Sequence, residues 1–206
     1  MVGSSIIKHA FVRARSAYGG ANLKLDRFNA SVWWQGQSGL VWKQLERKLL
    51  YLLKFEDAPQ IILLHCGGND IGKEKSIILR HRMVDTLLRL HKHFPNTMFV
   101  WSQILPRFKW RSFVPSKTLN KARVRLNRKM ANLILSLGGA YIRYPELCEE
   151  NMGFFADDKV HLSDLGNDMF LHHLQQGLQT FLMNNCNIYP SNVSGPRAAY
   201  TQDGGF

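Results

Sequence analysis

Short apolar runs alternate with longer amphipathic segments along most of this chain, and this alternation constrains the fold more than any other feature. The runs have the length of buried strands, whereas the longer segments carry apolar residues three and four positions apart, as one face of a helix does. Strands that alternate with helices favour a parallel sheet covered on both faces. We therefore expect an α/β fold with three layers, α/β/α, and about five parallel strands. The apolar runs lie at 30–34, 60–66, 98–104 and 140–143, and the helices are predicted at 6–16, 42–55, 73–93, 115–137 and 163–183.

The length of 206 residues suits one domain with a substantial core. We assign residues 1–183 to that domain. Residues 184–206 are polar, contain glycine and proline and lack apolar periodicity, so they are predicted to form a disordered tail. At the other end, Met1 and Val2 alone precede Gly3, whereas an ordinary strand has about five residues. The first strand is therefore expected to be truncated.

The composition argues against several classes of protein. The three cysteines are scattered and form no Cys-x-x-Cys pair, which disfavours a disulfide framework and a zinc site. No apolar run approaches the roughly 20 residues that a membrane span requires, and residues 1–10 lack the apolar core of a secretory signal. We expect an intracellular, cytoplasmic protein.

Two short polar motifs are placed where an active site of an α/β protein would lie. Gly67-Gly68-Asn69-Asp70 directly follows an apolar run, and ligands of open α/β sheets bind at the carboxyl ends of strands. Asp158 and His161 are one helical turn apart, a spacing that lets the carboxylate orient the imidazole as a general base. Asp70 is expected to secure its loop rather than to titrate during catalysis.

A nucleophile for such a base lies at the start of the chain. Gly3-Ser4-Ser5-Ile6 forms a small-residue turn between a strand remnant and a segment that can open a helix. The helix dipole at that point would favour the anion that forms during acyl transfer. Both Ser4 and Ser5 are candidates from this argument.

Taken together, these motifs resemble the SGNH (GDSL) hydrolase superfamily. Gly-x-Ser, a later glycine, Gly-x-Asn-Asp and Asp-x-x-His follow in the family's order over residues 1–182, with Gly-Ser-Ser replacing the usual Gly-Asp-Ser. The resemblance implies a serine esterase that hydrolyses a small carboxylic ester through an acyl-enzyme and needs no metal or organic cofactor. By position, the family's roles fall on Ser5 (nucleophile), on Ser5 N–H, Gly39 and Asn69 (oxyanion hole), and on Asp158 and His161 (the rest of the triad).

Two finer features of the resemblance concern the second oxyanion donor and the branch of the family. Gly36 lies in the same loop as Gly39, and we favour Gly39 because the helix predicted at 42–55 begins just after it. The stretches 39–42 and 101–107 look most similar to the esterase-like domains of vertebrate retroelement proteins.

The remaining histidines and aromatic residues are interpreted as structural. The spacing of the other histidines forms no convincing metal cluster, and Cys66 fits a small core residue. Aromatic and basic side chains mix near Arg107, where they could stack on bases or line an acyl pocket, but partial burial in the core is favoured. The histidines assigned to packing or surface are His65, His91, His93, His172 and His173, and the aromatic residues are Trp101, Phe108, Trp110 and Phe113.

The formal charge of +12 favours anionic partners. On the helix predicted at 115–137, Lys121, Arg125 and Arg128 project from the side opposite the apolar face. This basic stripe is the candidate surface for weak binding of nucleic acid or another anionic partner. The alternative to an esterase is therefore a catalytically idle SGNH-fold binding module, or a mobile-element remnant, with a basic surface.

Overall fold

A computed structural model describes residues 1–16, 19–184 and 186–191. Within them six strands form one sheet in the order β2-β1-β3-β4-β5-β6, and every pair of neighbouring strands is parallel. The predicted α/β fold with a parallel sheet is thus confirmed, with six strands rather than about five. The strands are β1 Val2–Gly3, β2 Gln35–Gly36, β3 Ile61–His65, β4 Met98–Ser102, β5 Ala140–Ile142 and β6 Ile188–Tyr189, and the helices are α1 Ser5–Ser16, α2 Leu45–Leu52, α3 Ser76–His93, α4 Ser116–Ser136 and α5 Asp164–Leu182.

Helices cover both faces of the sheet. Successive residues of β3 face opposite sides, because side chains alternate along a strand. Ile62 and Leu64 pack with α2, α3 and α4, whereas Leu63 packs with α1 and α5. The three-layer arrangement therefore follows directly from apolar strands that are buried on both faces. None of the described helices combines the length and the hydropathy needed to cross a membrane.

The predicted faces of α4 are confirmed. Leu126, Met130 and Ile134 are buried against the sheet and α3. The basic stripe of Lys121, Arg125 and Arg128 is exposed on the opposite side.

The strand predicted at 30–34 is wrong by a few residues. The ladder forms instead at β2, where Gln35 pairs with Val2 and Gly36 pairs with Gly3. The register is decided by pairing with β1, which the local pattern of apolar residues does not reveal. Residues 31–33 run beside the amino end of β1 and help to line a cavity of about 530 Å³. That cavity lies at the amino ends of the strands, opposite the edge where Ser5 and Asn69 follow β1 and β3.

The predicted boundary at residue 183 is also moved, because β6 belongs to the segment assigned to a disordered tail. Ile188 pairs with Tyr141, and the backbone N–H of Arg143 donates to the carbonyl of Tyr189 at 2.7 Å. A two-residue edge strand is too short to show periodicity in the sequence. The sheet therefore extends beyond residue 183, while residues 192–206 of the predicted tail lie outside the described residues.

Candidate active site

Ser5 occupies the first position of α1, immediately after the short strand β1. The preceding residue, Ser4, is buried, and its N–H donates to the carbonyl of His65 at 3.3 Å, which fixes the turn to β3. The Ser4 carbonyl accepts the hydrogen bond of Lys8 N–H, so the amide of Ser5 precedes the helical ladder. Of the two candidate serines, Ser5 is the one whose hydroxyl is hydrogen-bonded to an imidazole: its Oγ lies 2.8 Å from Nε2 of His161.

Asp158 and His161 are brought together by a tight turn, not by the turn of helix that their spacing suggested. Lys159 takes a left-handed conformation with φ of 61°. This lets Oδ1 of Asp158 accept the N–H groups of Val160 and His161, both at 2.9 Å, while Oδ2 is hydrogen-bonded to Nδ1 of His161. Two hydrogen bonds therefore hold the turn on the carboxylate, and the third orients the ring of His161.

The ionisation of Asp158 decides which nitrogen of the His161 ring carries the proton. Desolvation raises its pKa, but hydrogen bonds from the His161 backbone and ring and from Val160 outweigh that effect and lower the pKa to about 2. An ionised carboxylate can only accept, so Nδ1 of His161 holds the proton and Nε2 accepts the hydroxyl of Ser5. This is the arrangement that a general base needs.

Asn69 lies in the loop after β3 and is held from both sides. Its Nδ2 donates to the carbonyl of Leu40 at 3.0 Å, and its Oδ1 accepts from the guanidinium of Arg107 at 3.0 Å. Asn69 thus reaches the loop that contains Gly39.

Asp70 secures this loop, in agreement with the sequence prediction. Both of its carboxylate oxygens accept the N–H of Trp42, at 3.1 and 3.0 Å. Burial raises the pKa of Asp70 to about 6, and the hydrogen bond from Trp42 opposes that rise. The contact ties the segment after Gly39 to the loop that carries Asn69.

The two glycines proposed for the oxyanion hole have different surroundings. Gly36 is part of β2, and a Cβ added there would lie 2.4 Å from the backbone nitrogen of Lys8, so its close packing on α1 accounts for glycine at that position. Gly39 has a φ of 75° and no heavy atom within 4 Å of an added Cβ. A free, unpacked backbone suits the preference for Gly39, whose role in an oxyanion hole stays a prediction.

His65 and His173 are buried, as the structural interpretation of the histidines predicted. Nδ1 of His65 lies 2.9 Å from the Ser102 hydroxyl, which in turn lies 2.5 Å from the Tyr144 hydroxyl. Burial, and then the charge of Arg107, lower the pKa of His65 to about 3, so the ring is neutral at physiological pH. Cys66 is also buried, and burial raises the pKa of its thiol.

The aromatic residues near Arg107 divide into core and surface. Trp101 and Trp110 are buried, and Phe108 is partly buried, as predicted. Phe113 departs from the prediction because it is fully exposed. Phe113 lies in the loop between β4 and α4.

Sequence reasoning missed two residues at the site, His9 and Arg107. His9 packs against the ring of His161, and Arg107 donates to Asn69. The sequence could have indicated His9, because it is one helical turn after Ser5 and so lies on the same face of the predicted helix. Arg107 gave a weaker signal, as a charged residue just beyond the carboxyl end of a strand.

Solved structures similar to this chain include lipolytic hydrolases and esterases. The chain is similar to a member of the lipolytic protein G-D-S-L family from Veillonella parvula, with a TM-score of 0.65 and 15% identity over 86% of this chain and 96% of the other. It is similar to a psychrotrophic esterase from Pseudoalteromonas sp., inhibited by monoethylphosphonate, with a TM-score of 0.62 and 14% identity over 89% and 97%. The chain is also similar to a family 3 carbohydrate esterase from Clostridium thermocellum. Their TM-score is 0.60, and their sequences are 15% identical over 89% of this chain and 96% of the other.

No protein-family model matches the sequence, and no curated protein matches it either. The likeness to solved structures therefore rests on three-dimensional shape. The chain has the fold of the SGNH (GDSL) hydrolases, as the order of its motifs predicted.

Proposed function

We propose that this protein is a serine esterase that hydrolyses a small carboxylic ester through an acyl-enzyme. The observation that carries the proposal is the chain of contacts from Ser5 Oγ to His161 Nε2, at 2.8 Å, and from His161 Nδ1 to Asp158. A nucleophile, a base and an orienting carboxylate in this geometry are what acyl transfer from an ester requires. The esterases among the similar structures add support to the same chemistry.

In the proposed reaction the Ser5 hydroxyl attacks the ester carbonyl while Nε2 of His161 takes its proton. Asp158 stabilises the imidazolium that forms. His161 then gives the proton to the departing alcohol as the carbon–oxygen bond of the ester breaks. A water molecule, deprotonated by His161, attacks the acyl-enzyme and releases the acid and free Ser5.

The negative charge that develops on the carbonyl oxygen requires fixed donors. We assign this role to Ser5 N–H, Gly39 N–H and the side-chain amide of Asn69. The position of Ser5 at the start of α1 supports the assignment, because amides of the first helical turn have no partner within the helix and the helix dipole favours an anion there.

The decisive experiment is covalent labelling with a fluorophosphonate probe, followed by mapping of the modified peptide by mass spectrometry. We expect the label on Ser5, and none in Ser5→Ala. Ser4→Ala is the matched control, because the hydrogen bond to His161 is made by Ser5 and not by this buried neighbour, and it should label as the parent protein does. Labelling at Ser4, or labelling that persists in Ser5→Ala, would refute the assignment.

We further propose that the domain belongs with the esterase-like domains of retroelement proteins, on the basis of the stretches 39–42 and 101–107. The coding context tests this relationship. A reverse transcriptase encoded beside this domain is the expected finding, and an unrelated host gene on both sides speaks against it.

A further inference from the structure

We propose that Arg107 determines the substrate class: the site takes esters that carry an anionic oxygen group, such as a carboxylate, close to the scissile bond, and the Arg107 guanidinium binds that group. The inference rests on the proposed esterase function and names its substrate class. It is carried by the position of the guanidinium, by its lack of a counter-ion and by the rigidity of its support.

Arg107 lies between the loops that carry the proposed catalytic groups. Its guanidinium donates to Oδ1 of Asn69 at 3.0 Å. The next residue along, Phe108, donates its N–H to the carbonyl of Lys159 at 3.0 Å, which ties this loop to the turn of Asp158 and His161. A substrate held by Ser5 and Asn69 would therefore lie beside the loop that carries Arg107.

A small crevice of about 10 Å³ lies between Arg107 and Ser4, the residue before the proposed nucleophile. Its walls come from the turn after β1, the loop after β3, the loop after β4 and the turn that holds His161. Ser4, Gly68, Arg107 and Val160 are among the lining residues. Arg107 thus lines the same crevice as Ser4, which directly precedes the proposed nucleophile Ser5.

The charge of Arg107 is not neutralised by a direct partner. Two other arginines with restricted exposure do have a carboxylate partner: Arg13 is 2.6 Å from Asp168, and Arg123 lies 3.4 Å from Glu149. Among the described residues, no carboxylate lies within 4.0 Å of the Arg107 guanidinium. Asp70 and Asp158 attract it only from a greater distance, and each already accepts other hydrogen bonds.

Burial makes this missing partner costly. Desolvation, and then the charge of Arg111, lower the pKa of Arg107 to about 10, so the group remains charged at neutral pH. A cation withdrawn from water without a counter-ion destabilises a protein, and an incoming carboxylate or phosphate would supply the partner through charge-assisted hydrogen bonds.

The guanidinium is also held ready for binding. Buried Asn120 fixes the Arg107 backbone from both sides, because its Oδ1 accepts the Arg107 N–H at 3.3 Å and its Nδ2 donates to the Arg107 carbonyl at 2.9 Å. The guanidinium carbon lies 5.3 Å from the centre of the Trp110 ring. A side chain ordered in advance loses little entropy when it binds an anion.

Two matched pairs of esters test the inference. In the first pair the anion is on the acyl group: 4-nitrophenyl hydrogen succinate and its methyl ester. In the second it is on the alcohol: 4-acetoxybenzoate and methyl 4-acetoxybenzoate. For each pair, kcat/KM is measured for the parent protein, Arg107→Gln, Arg107→Lys and the control Arg80→Gln, which changes an exposed arginine of α3. Comparing this anionic-to-neutral ratio between variants cancels the difference in intrinsic reactivity between the two esters of a pair.

We expect the anionic-to-neutral ratio of at least one pair to fall roughly 10- to 100-fold in Arg107→Gln, the range for hydrogen bonds to a charged group. Arg107→Lys should keep part of the preference because it keeps the charge without the two-pronged donor. Arg80→Gln should leave both ratios unchanged. The affected pair shows whether the anion belongs to the acyl or the alcohol part.

Three results would overturn the inference. If the ratios are the same in Arg107→Gln and Arg107→Lys as in the parent, the site does not select for charge. If both esters of each pair slow equally, Arg107 only positions Asn69. In both cases the esterase proposal stands, because the neutral esters are still hydrolysed by the parent. If the parent hydrolyses none of the four esters and Ser5 takes no phosphonate label, both proposals fail.

Discussion

The imidazole of His9 lies against the imidazole of His161, with ring centroids 4.6 Å apart and ring planes inclined by 42°. His9 is one helical turn beyond Ser5, so α1 presents the proposed nucleophile and this ring on the same face. Burial, and then the charges of His161 and Lys8, lower the pKa of His9. The ring of His9 is therefore largely neutral at pH 7, and it packs against the proposed base, His161.

Removing this ring should impair the base without touching the substrate. We expect His9→Ala to lower kcat/KM for a neutral ester by about 2- to 10-fold, since a contact between aromatic rings contributes about 0.5–1.5 kcal/mol. His9→Phe should retain most activity because it keeps the packing. The measurement is the steady-state rate near pH 8, with His81→Ala, an exposed histidine of α3, as control. Equal losses in His9→Ala and His9→Phe would contradict a packing role.

The proposed oxyanion donor makes a different prediction. Asn69→Ala should lower kcat on the order of 100-fold and change KM little, because the donor acts on charge that is present in the transition state alone. Single-turnover kinetics with 4-nitrophenyl acetate separates acylation from later steps. Thermal unfolding of the variant checks that losing the contacts with Leu40 and Arg107 has not unfolded the loop. An unchanged kcat would remove Asn69 from the proposed site.

Buried His65 predicts acid sensitivity of the fold. Its pKa is about 3 in the folded state against an ordinary value of 6.5, so the unfolded chain binds the proton more readily. The stability that depends on neutral His65 is complete above pH 6.5 and is lost progressively as the pH falls toward 3. The loss amounts to about 1.4 kcal/mol per pH unit, or about 2 kcal/mol between pH 6.5 and 5.

Urea unfolding at several pH values tests this dependence. Asp70 acts in the opposite sense, because its raised pKa of about 6 lets the folded state take up a proton in the same range. The informative comparison is therefore with His65→Gln, which can still bond to Ser102 but does not titrate, and which should lose less stability on acidification than the parent. His81→Gln is the control. Parallel pH curves for His65→Gln and the parent protein would disprove the prediction.

The pairing of Asp158 with His161 was accessible from a short local motif, whereas the choice of Ser5 over Ser4 came from the resemblance to the SGNH (GDSL) hydrolases, because the local argument left both serines open. The limits of α4 were accessible from the local sequence, since its apolar spacing predicted 115–137 and the helix spans Ser116–Ser136. Features that depend on neighbouring residues of the chain can thus be predicted from the sequence.

The remainder depends on contacts between distant parts of the chain. β2 and β6 are two-residue strands whose positions are decided by their partners, and so the predicted strand at 30–34 and the boundary at 183 were wrong. Arg107 reaches Asn69 across 38 positions of sequence. The geometry of the Asp158 turn depends on the left-handed backbone conformation of Lys159. A lysine gives no sequence signal for this conformation, because residues other than glycine rarely adopt it.

The basic stripe on α4 gives the test of the binding hypothesis. If Lys121, Arg125 and Arg128 contact a phosphate backbone, changing all three to Gln should weaken binding to single-stranded RNA of any sequence and reduce the slope of log K against log salt by about 2. Hydrolysis of 4-nitrophenyl acetate should stay nearly intact, because the stripe is on the face of α4 that points away from the sheet. Fluorescence anisotropy across a salt series measures the slope.

A second triple variant separates the stripe from net charge alone. Lys43→Gln, Arg47→Gln and Lys54→Gln together remove the same three charges from exposed positions in and around α2. If the stripe is the binding surface, this control should bind RNA nearly as well as the parent protein. Equal weakening by the two triple variants would assign the affinity to the overall charge of +12. A parent protein without salt-dependent affinity near physiological ionic strength would mean that the stripe is a solvated surface, and the nucleic-acid hypothesis would fail.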